Sequence, residues 1–402
     1  TLREYCDNNG NSSIDKFHLY KLLDESLRFF NEEVLYESAI SKMLVEEDLF
    51  VTSENRYALS MLYYAEKRIL EFFTRRKDEK NRKIIATFDE YLIKKQETLG
   101  FELSTEQKKA VELINNGDKT LFLIGYAGTG KSTSSRAILE LLEETMSYDD
   151  IMTIALSGIA SQRISDTTGY NSSTIQSLIM KHKEKDFFPY KAILLDEASM
   201  VNSVTFNQIV SKIDDDTIFI IVGDDGQLPA IGAGNVLADA IKYELAPICK
   251  LTKIYRQNEN QAIAVIANDI RKGEIPAYKE EYEDFKFVDV SISNYYSQKN
   301  SISSNDFADL RGENSEYILN NILNISAGYI EEYYDFIKKK KISKALTLFQ
   351  VITPMKAGIL GVDNLNIQLQ KLFNHTKGKA FVSKVYEYKL TDKVIHIKNE
   401  NM

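Results

Sequence analysis

The sequence predicts an α/β fold built on a parallel sheet, and three observations carry that prediction. From Phe101 onward, short β-rich runs alternate with helical patterns, the order that strand-helix-strand crossovers leave in a chain. Four runs, Thr120 to Ile124, Ile151 to Leu156, Lys191 to Leu195 and Thr217 to Val222, are nearly continuous in apolar character, as strands covered on both faces are. Glycine-rich or acidic turns follow the first, third and fourth of these runs, at the strand ends where open α/β sheets keep their ligands.

Before that core, residues 1–58 read as two amphipathic helices and a hairpin. Leu19, Leu22, Leu23 and Leu27 recur at helical spacing, then Val34, Leu35, Ile40 and Leu44, and Leu49-Phe50-Val51 precedes the turn residues Ser53-Glu54-Asn55. This pattern predicts a small winged-helix-like module. Leu62, Ala65, Ile69 and Phe72 share one stripe of a helical arm from about Tyr57 to Lys95, so residues 59–100 are expected to connect module and core. Residues 101–247 form the first α/β domain, with a short insertion at 177–190. A second, incomplete α/β domain is expected over 248–380, including a strand at Leu348 to Thr353. An Asn- and Ser-rich tract, Ser291 to Ser315, reads as a surface loop within it. From Phe381 to Lys398, Val, Tyr and Ile alternate with Lys at period two, as in a strand pair of a small β-barrel.

Composition narrows the class. The 402 residues have room for two to four domains, and 44% hydrophobic with 27% charged residues is ordinary for a folded, water-soluble chain. The longest apolar runs, such as Ile218 to Val222, fall far short of the roughly 18 residues of a membrane span, and no signal pattern opens the chain. Cys6 and Cys249 are too few for a disulfide framework, and His18, His182, His375 and His396 have no ligand spacing. A cytoplasmic monomer without membrane contact is expected. The net charge of −9 argues against a nucleic-acid partner only as an average: from Phe336 to the end, thirteen lysines face four acids. A second basic stretch, Lys67 to Lys83, reads as a solvated helix face or as a nucleic-acid contact.

The motifs supply chemistry. Gly125-Tyr126-Ala127-Gly128-Thr129-Gly130-Lys131-Ser132, followed by Thr133, matches a P-loop between a strand and a helix. Backbone N–H groups of such a loop close on the β-phosphate, Lys131 supplies charge to the β and γ oxygens, and the Ser132 hydroxyl suits Mg2+. ATP and Mg2+ are therefore the expected cofactors. Asp196-Glu197 ends an apolar strand: Asp196 suits the metal through water, Glu197 the attacking water. Past the next strand, Gly223-Asp224-Asp225-Gly226-Gln227-Leu228-Pro229 is either a plain turn or a platform for Gln227 to sense the γ-phosphate. Arg256, in Tyr255-Arg256-Gln257, is either a surface arginine or an arginine finger.

In this order the motifs resemble the superfamily 1B DNA helicases of the RecD-like group, including the long RecD-type helicases with N-terminal extensions. Phe101-Glu102-Leu103-Ser104-Thr105-Glu106-Gln107 is similar to the family's Q motif, which implies that Gln107 reads adenine. Asp196 to Val201, Gly223 to Pro229 and Tyr255 to Gln257 resemble the Walker B, third and fourth helicase motifs, and Val351 to Asn366 resembles a run of the second motor domain. The resemblance implies two RecA-like motor domains, the start of an SH3-like insertion at 381–402, and 5′ to 3′ movement on single-stranded DNA with unwinding at duplex junctions. It implies DNA contacts at Ser157, Arg163, Thr174 and Gln176, and in the second domain at Lys356 and Asn366.

The sequence departs from the family at four places. Ile154 to Ser161 lacks the usual proline and arginine of a DNA-contacting motif, and Gln176 stands where histidine is common. The strand-separating pin is reduced to a short insertion, where Phe187 and Phe188 act either as a wedge against the first base pair or as buried anchors. The chain starts at Thr1 and ends before the last two family motifs, so a piece of a longer protein is expected, hydrolysing ATP poorly or not at all as written. Two other readings stay open: a P-loop ATPase acting on protein partners, and a catalytically incomplete DNA-binding module.

Overall fold

Helices α1 (Leu2–Asn9), α2 (Lys16–Ser26) and α3 (Glu33–Val45) accompany a three-stranded sheet in which β1 (Ile14–Asp15) and β2 (Leu49–Val51) flank β3 (Arg56–Leu59). Ile14, Leu19, Ile40 and Leu49 form its core. The expected hairpin is β2 and β3. Helix α1 and strand β1 are additions, because α1 is mostly polar and buries only Cys6, leaving no stripe to read. The computed structural model describes residues 2–26, 33–253, 262–276, 284–290, 307–375, 381–382 and 387–394. It divides into two compact units, Thr1–Asp284 and Phe285–Met402.

The expected arm is two helices, α4 (Ser60–Arg76) and α5 (Phe88–Leu99). Between them the backbone leaves helical bonding for tertiary bonds: Asn81 N donates to Gly117 O at 2.7 Å and Ile84 N to Asn115 O at 3.0 Å. Gly117 has φ +94, and a Cβ there would lie 2.0 Å from Asn81 O, so the turn takes only glycine. At the end of α4 the buried Arg76 guanidinium donates to the carbonyls of Lys119, Asp214, Asp215 and Thr217 and to the Thr120 hydroxyl, fastening the arm to the sheet. Arg75 pairs with Asp215 and Lys80 with Asp118, so part of the Lys67 to Lys83 stretch is spent on structure.

The sheet is six-stranded and parallel. Strands β4 (Thr120–Gly125), β5 (Ile151–Ala155), β6 (Ser172–Thr174), β7 (Ala192–Leu195), β8 (Ile218–Gly223) and β9 (Ile248–Leu251) lie in the order β6-β5-β7-β8-β4-β9. All four apolar runs are strands. Alternate side chains feed two cores: Phe122, Ile193 and Phe219 pack with Phe73 of α4 and Phe206 of α10 (Ser203–Val210), while Leu121, Leu194 and Ile220 pack with α6 (Thr105–Asn115) and α7 (Lys131–Leu142). Polar Ser172–Thr174 becomes a strand only because β5 offers it an edge. After α11 (Val236–Lys242), strand β9 completes the opposite edge, and Thr252 N donates to Glu106 Oε2 at 2.8 Å, so the expected boundary at 247/248 falls within this first unit.

In the second unit the described residues form α13 (Phe307–Ala327), α14 (Ile330–Lys338), α15 (Ile342–Thr347) and α16 (Val362–Phe373), with a short antiparallel pair, β10 (Phe381–Val382) and β11 (Glu387–Tyr388). Tyr333, Ala345 and Phe373 are its buried centre. Among the described residues it has no parallel sheet, and Leu348 to Thr353 is not a strand. Apolar character alone does not make a strand where no neighbour exchanges backbone bonds. Part of the Asn- and Ser-rich tract lies outside the described residues, but from Phe307 the chain is helical. The β10 and β11 pair agrees with the alternation from Phe381, without an SH3-like fold being formed by the described residues.

Candidate functional site

Because the six strands are parallel, every strand-to-helix turn leaves the sheet at one edge. Neighbouring strands β7, β8 and β4 bring three turns together: Asp196-Glu197 after β7, Asp224 to Gln227 after β8, and Gly125 to Ser132 after β4. Gly128 (φ +84) and Gly130 (φ +88) hold the left-handed conformations that fold the loop back onto α7. Thr129, fully buried, donates from Oγ1 to Tyr126 O at 2.8 Å and fills the space where a Cβ on Gly125 would meet it. Ala127 and Ser132 are exposed and Thr133 is half-buried.

Lys131 Nζ donates to Gly125 O at 2.6 Å and Tyr126 O at 3.1 Å. Burial pulls its pKa below the usual lysine range, opposed by the charges of Asp224, Glu197 and Asp196. Asp196 is pushed up, first by burial and then by Glu197 beside it. Glu197 has φ +52, a left-handed backbone in a residue with a Cβ, and strain of this kind collects where a side chain must be aimed. Gln227 is exposed, and its Oε1 accepts from the Ser199 hydroxyl at 3.4 Å, linking the turn after β8 to the turn after β7. Gln107 is buried in a capping box with Ser104, and its Nε2 lies 3.5 Å from Gly130 O, so the predicted adenine reader touches the P-loop itself.

Two participants escaped sequence reasoning. Asp224 is buried at the β8 end and accepts from Gly226 N at 2.9 Å. Its signal was the one used for Asp196, a carboxylate directly after an apolar strand. Ser199 had none, since its role depends on a residue 28 positions away. Among the described residues no cluster of three or more His, Cys, Asp or Glu forms a metal site. Arg256 lies outside the described residues.

Residues 102–291 match a family described as an AAA domain. Over 87% of its length the chain is 25% identical to the ATP-dependent RecD2 DNA helicase of Deinococcus radiodurans, of which it covers 43%. It is 24% identical over 65% of its length to the RecBCD enzyme subunit RecD of Buchnera aphidicola, covering 50% of that protein. The chain is thus similar in sequence to RecD-type DNA helicases. It spans half or less of the length of these two relatives. A crystal structure of Bacteroides Pif1 bound to ssDNA is 24% identical over 44% of this chain and 47% of that one, with a TM-score of 0.33.

The other candidates lie along the same edge. Ser157 is exposed and caps α8 (Gly158–Thr168), accepting from Ala160 N at 3.1 Å. Thr174 caps α9 (Ile175–Lys181), accepting from Ser177 N at 3.2 Å, and Gln176 is exposed beside it. These two turns follow β5 and β6, next to β7. Arg163, expected on DNA, is largely exposed, with Nη1 4.0 Å from Glu197 Oε1. Phe188 is 4% exposed, packed in the core against His182, with its N–H donating to Lys212 O at 2.8 Å. The wedge reading therefore fails for Phe188, an anchor, and survives only for Phe187, which is 50% exposed. In the second unit, Lys356 and Asn366 are both exposed, in the turn before α16 and on α16.

Proposed function

We propose that the chain is the motor portion of an ATP-dependent DNA helicase, moving 5′ to 3′ on single-stranded DNA and unwinding duplex ahead of it. The observation that carries this reading is the convergence of Lys131, Asp196, Glu197 and Asp224 at the ends of β4, β7 and β8, beside exposed Ser157 and Gln176 and half-buried Thr174 at the ends of β5 and β6. ATP at one half of the edge and a DNA backbone along the other give the two sites a shared scaffold.

Lys131 binds the β and γ oxygens, and Glu197 orients the attacking water and takes its proton. Mg2+ fits the donors present: the Ser132 hydroxyl and the Asp196 carboxylate are hard oxygens, too few for a full shell, which suits an ion that keeps waters and takes phosphate oxygens. Bound there, it neutralises phosphate charge. Gln227, tied to Ser199, senses the terminal phosphate, Arg256 serves as arginine finger, and Gln107 ties the adenine side to the P-loop. Hydroxyl, amide and aromatic contacts hold the strand without reading its sequence, with Lys356 and Asn366 contributing from the second unit. The fit of Glu197 and Gln227 to this scheme favours it over a protein-remodelling ATPase or an inert DNA-binding module.

An ATPase assay with and without single-stranded DNA is the test. We expect stimulation of about tenfold or more and loss of at least about a hundredfold in Lys131→Ala, the scale of losing one charge-stabilising group. Equal rates with and without DNA favour the protein-remodelling reading, and unwinding confined to 3′-tailed duplexes overturns the polarity.

A further inference from the structure

Tyr126, the second residue of the P-loop, is covered by a cation that none of the motifs contains. The guanidinium carbon of Arg271, on α12 (Ala262–Lys272), lies 3.4 Å from the centroid of the Tyr126 ring, a flat stack of the kind arginine makes. The other side of the same arginine fills the space over Gly226: a Cβ at that position would meet Arg271 Nε at 2.5 Å and Cδ at 3.0 Å. Arg271 is thus wedged between the turn after β4 and the turn after the adjacent strand β8, one residue from Gln227 and on the side chain of the residue whose carbonyl accepts from Lys131.

Among the described residues no carboxylate pairs with Arg271 and no acceptor takes its N–H groups. Asp225, on that turn, is already paired with Lys250 at 2.7 Å, and Lys250 itself lies 5.9 Å from the Tyr126 ring. An arginine that serves structure alone finds acceptors, as Arg76 does with its carbonyls. A half-buried arginine held by stacking beside a phosphate-binding loop, with no acceptor for its fork of donors among the described residues, is arranged for an anion that arrives from outside.

We propose that Arg271 contacts the terminal phosphate of the bound nucleoside triphosphate and so sets the preference for triphosphate over diphosphate. The proposal rests on the P-loop reading of Gly125 to Ser132. It also accounts for Gly226, since any side chain there displaces the arginine. Arg271 binds the γ-phosphate through N–H donors, while Tyr126 holds the guanidinium plane in register before the nucleotide arrives.

The experiment measures binding of a non-hydrolysable ATP analogue and of ADP to this chain, with Mg2+, for the parent, Arg271→Ala, Arg271→Lys, Gly226→Ala and Lys131→Ala. Arg271→Ala is expected to weaken the triphosphate about tenfold or more while ADP changes less than about twofold, the loss of a charge-assisted pair to one phosphate. Arg271→Lys restores part of that loss, because it keeps the charge without the fork. Gly226→Ala follows Arg271→Ala in sign, since it leaves the arginine in place in the sequence and moves it in space. Parallel weakening of ATP analogue and ADP in Arg271→Ala overturns the proposal in favour of a loop brace, and unchanged binding of both overturns it outright. If Lys131→Ala binds both nucleotides like the parent, the P-loop reading fails and takes this proposal with it. Unfolding midpoints without nucleotide separate each result from misfolding.

Discussion

On α4, the Glu66 carboxyl group bonds both Ser12 of the N-terminal module and Ser203 of the sheet domain. It accepts from the Ser203 hydroxyl at 3.3 Å, and burial, before any neighbouring charge, holds its pKa above the usual carboxylate range. A carboxyl group raised in the folded state binds its proton more tightly there than when unfolded. Its stabilising contribution is therefore complete below the unfolded pKa and fades as pH rises through the folded one. Glu66→Gln keeps the acceptor and removes the ionisation. As pH rises from about 4.5, the variant should lose less of its unfolding midpoint than the parent, with Asp196, also raised, contributing equally to each protein. Parallel midpoint curves would sink this assignment. The same scale separates what residue type reveals from what it hides: Lys131, Asp196 and Glu197 declare themselves by motif, whereas Ser199 and Arg271 are ordinary residues until folding sets them against Gln227 and Tyr126.

Among the elements, the insertion after α9 tests how far a wedge can be read from two aromatic residues. Phe188 and Phe187 are neighbours in sequence with opposite fates, one in the core and one half in solvent. The loop between them and α9 is held by Lys212 Nζ, which donates to the carbonyls of His182, Lys183 and Lys185. Phe188→Ala should cost about 3–5 kcal/mol of unfolding free energy, the price of emptying a buried aromatic site, whereas Phe187→Ala should stay within about 0.5 kcal/mol. If Phe187 meets the duplex junction, its alanine variant slows unwinding with stability intact; unaltered unwinding would leave it a plain surface residue. Helix α4 carries a related lesson. The amphipathic stripe announced the helix, but its end at Arg76 is decided by carbonyls 43 or more positions away, which no local pattern contains.

For the whole molecule, charge is the property most easily misread. A net charge of −9 with thirteen lysines gathered after Phe336 is compatible with a chain that meets a polyanion along one groove. If about three phosphates are contacted, affinity for single-stranded DNA should fall about tenfold to twentyfold between about 50 and 200 mM salt; an affinity indifferent to salt would remove DNA from the reading. The parallel sheet, its four apolar strands and the P-loop were determined by sequence alone, because strand burial on both faces and glycine-dependent turns are local requirements that residue type must meet. Tertiary structure alone decided the polar strand β6, the edge strand β9, the burial of Phe188 and the seat of Arg271. Each of these depends on what a distant segment offers, whether a free strand edge, a cavity or an aromatic face, and a chain written in one dimension does not show its neighbours in space.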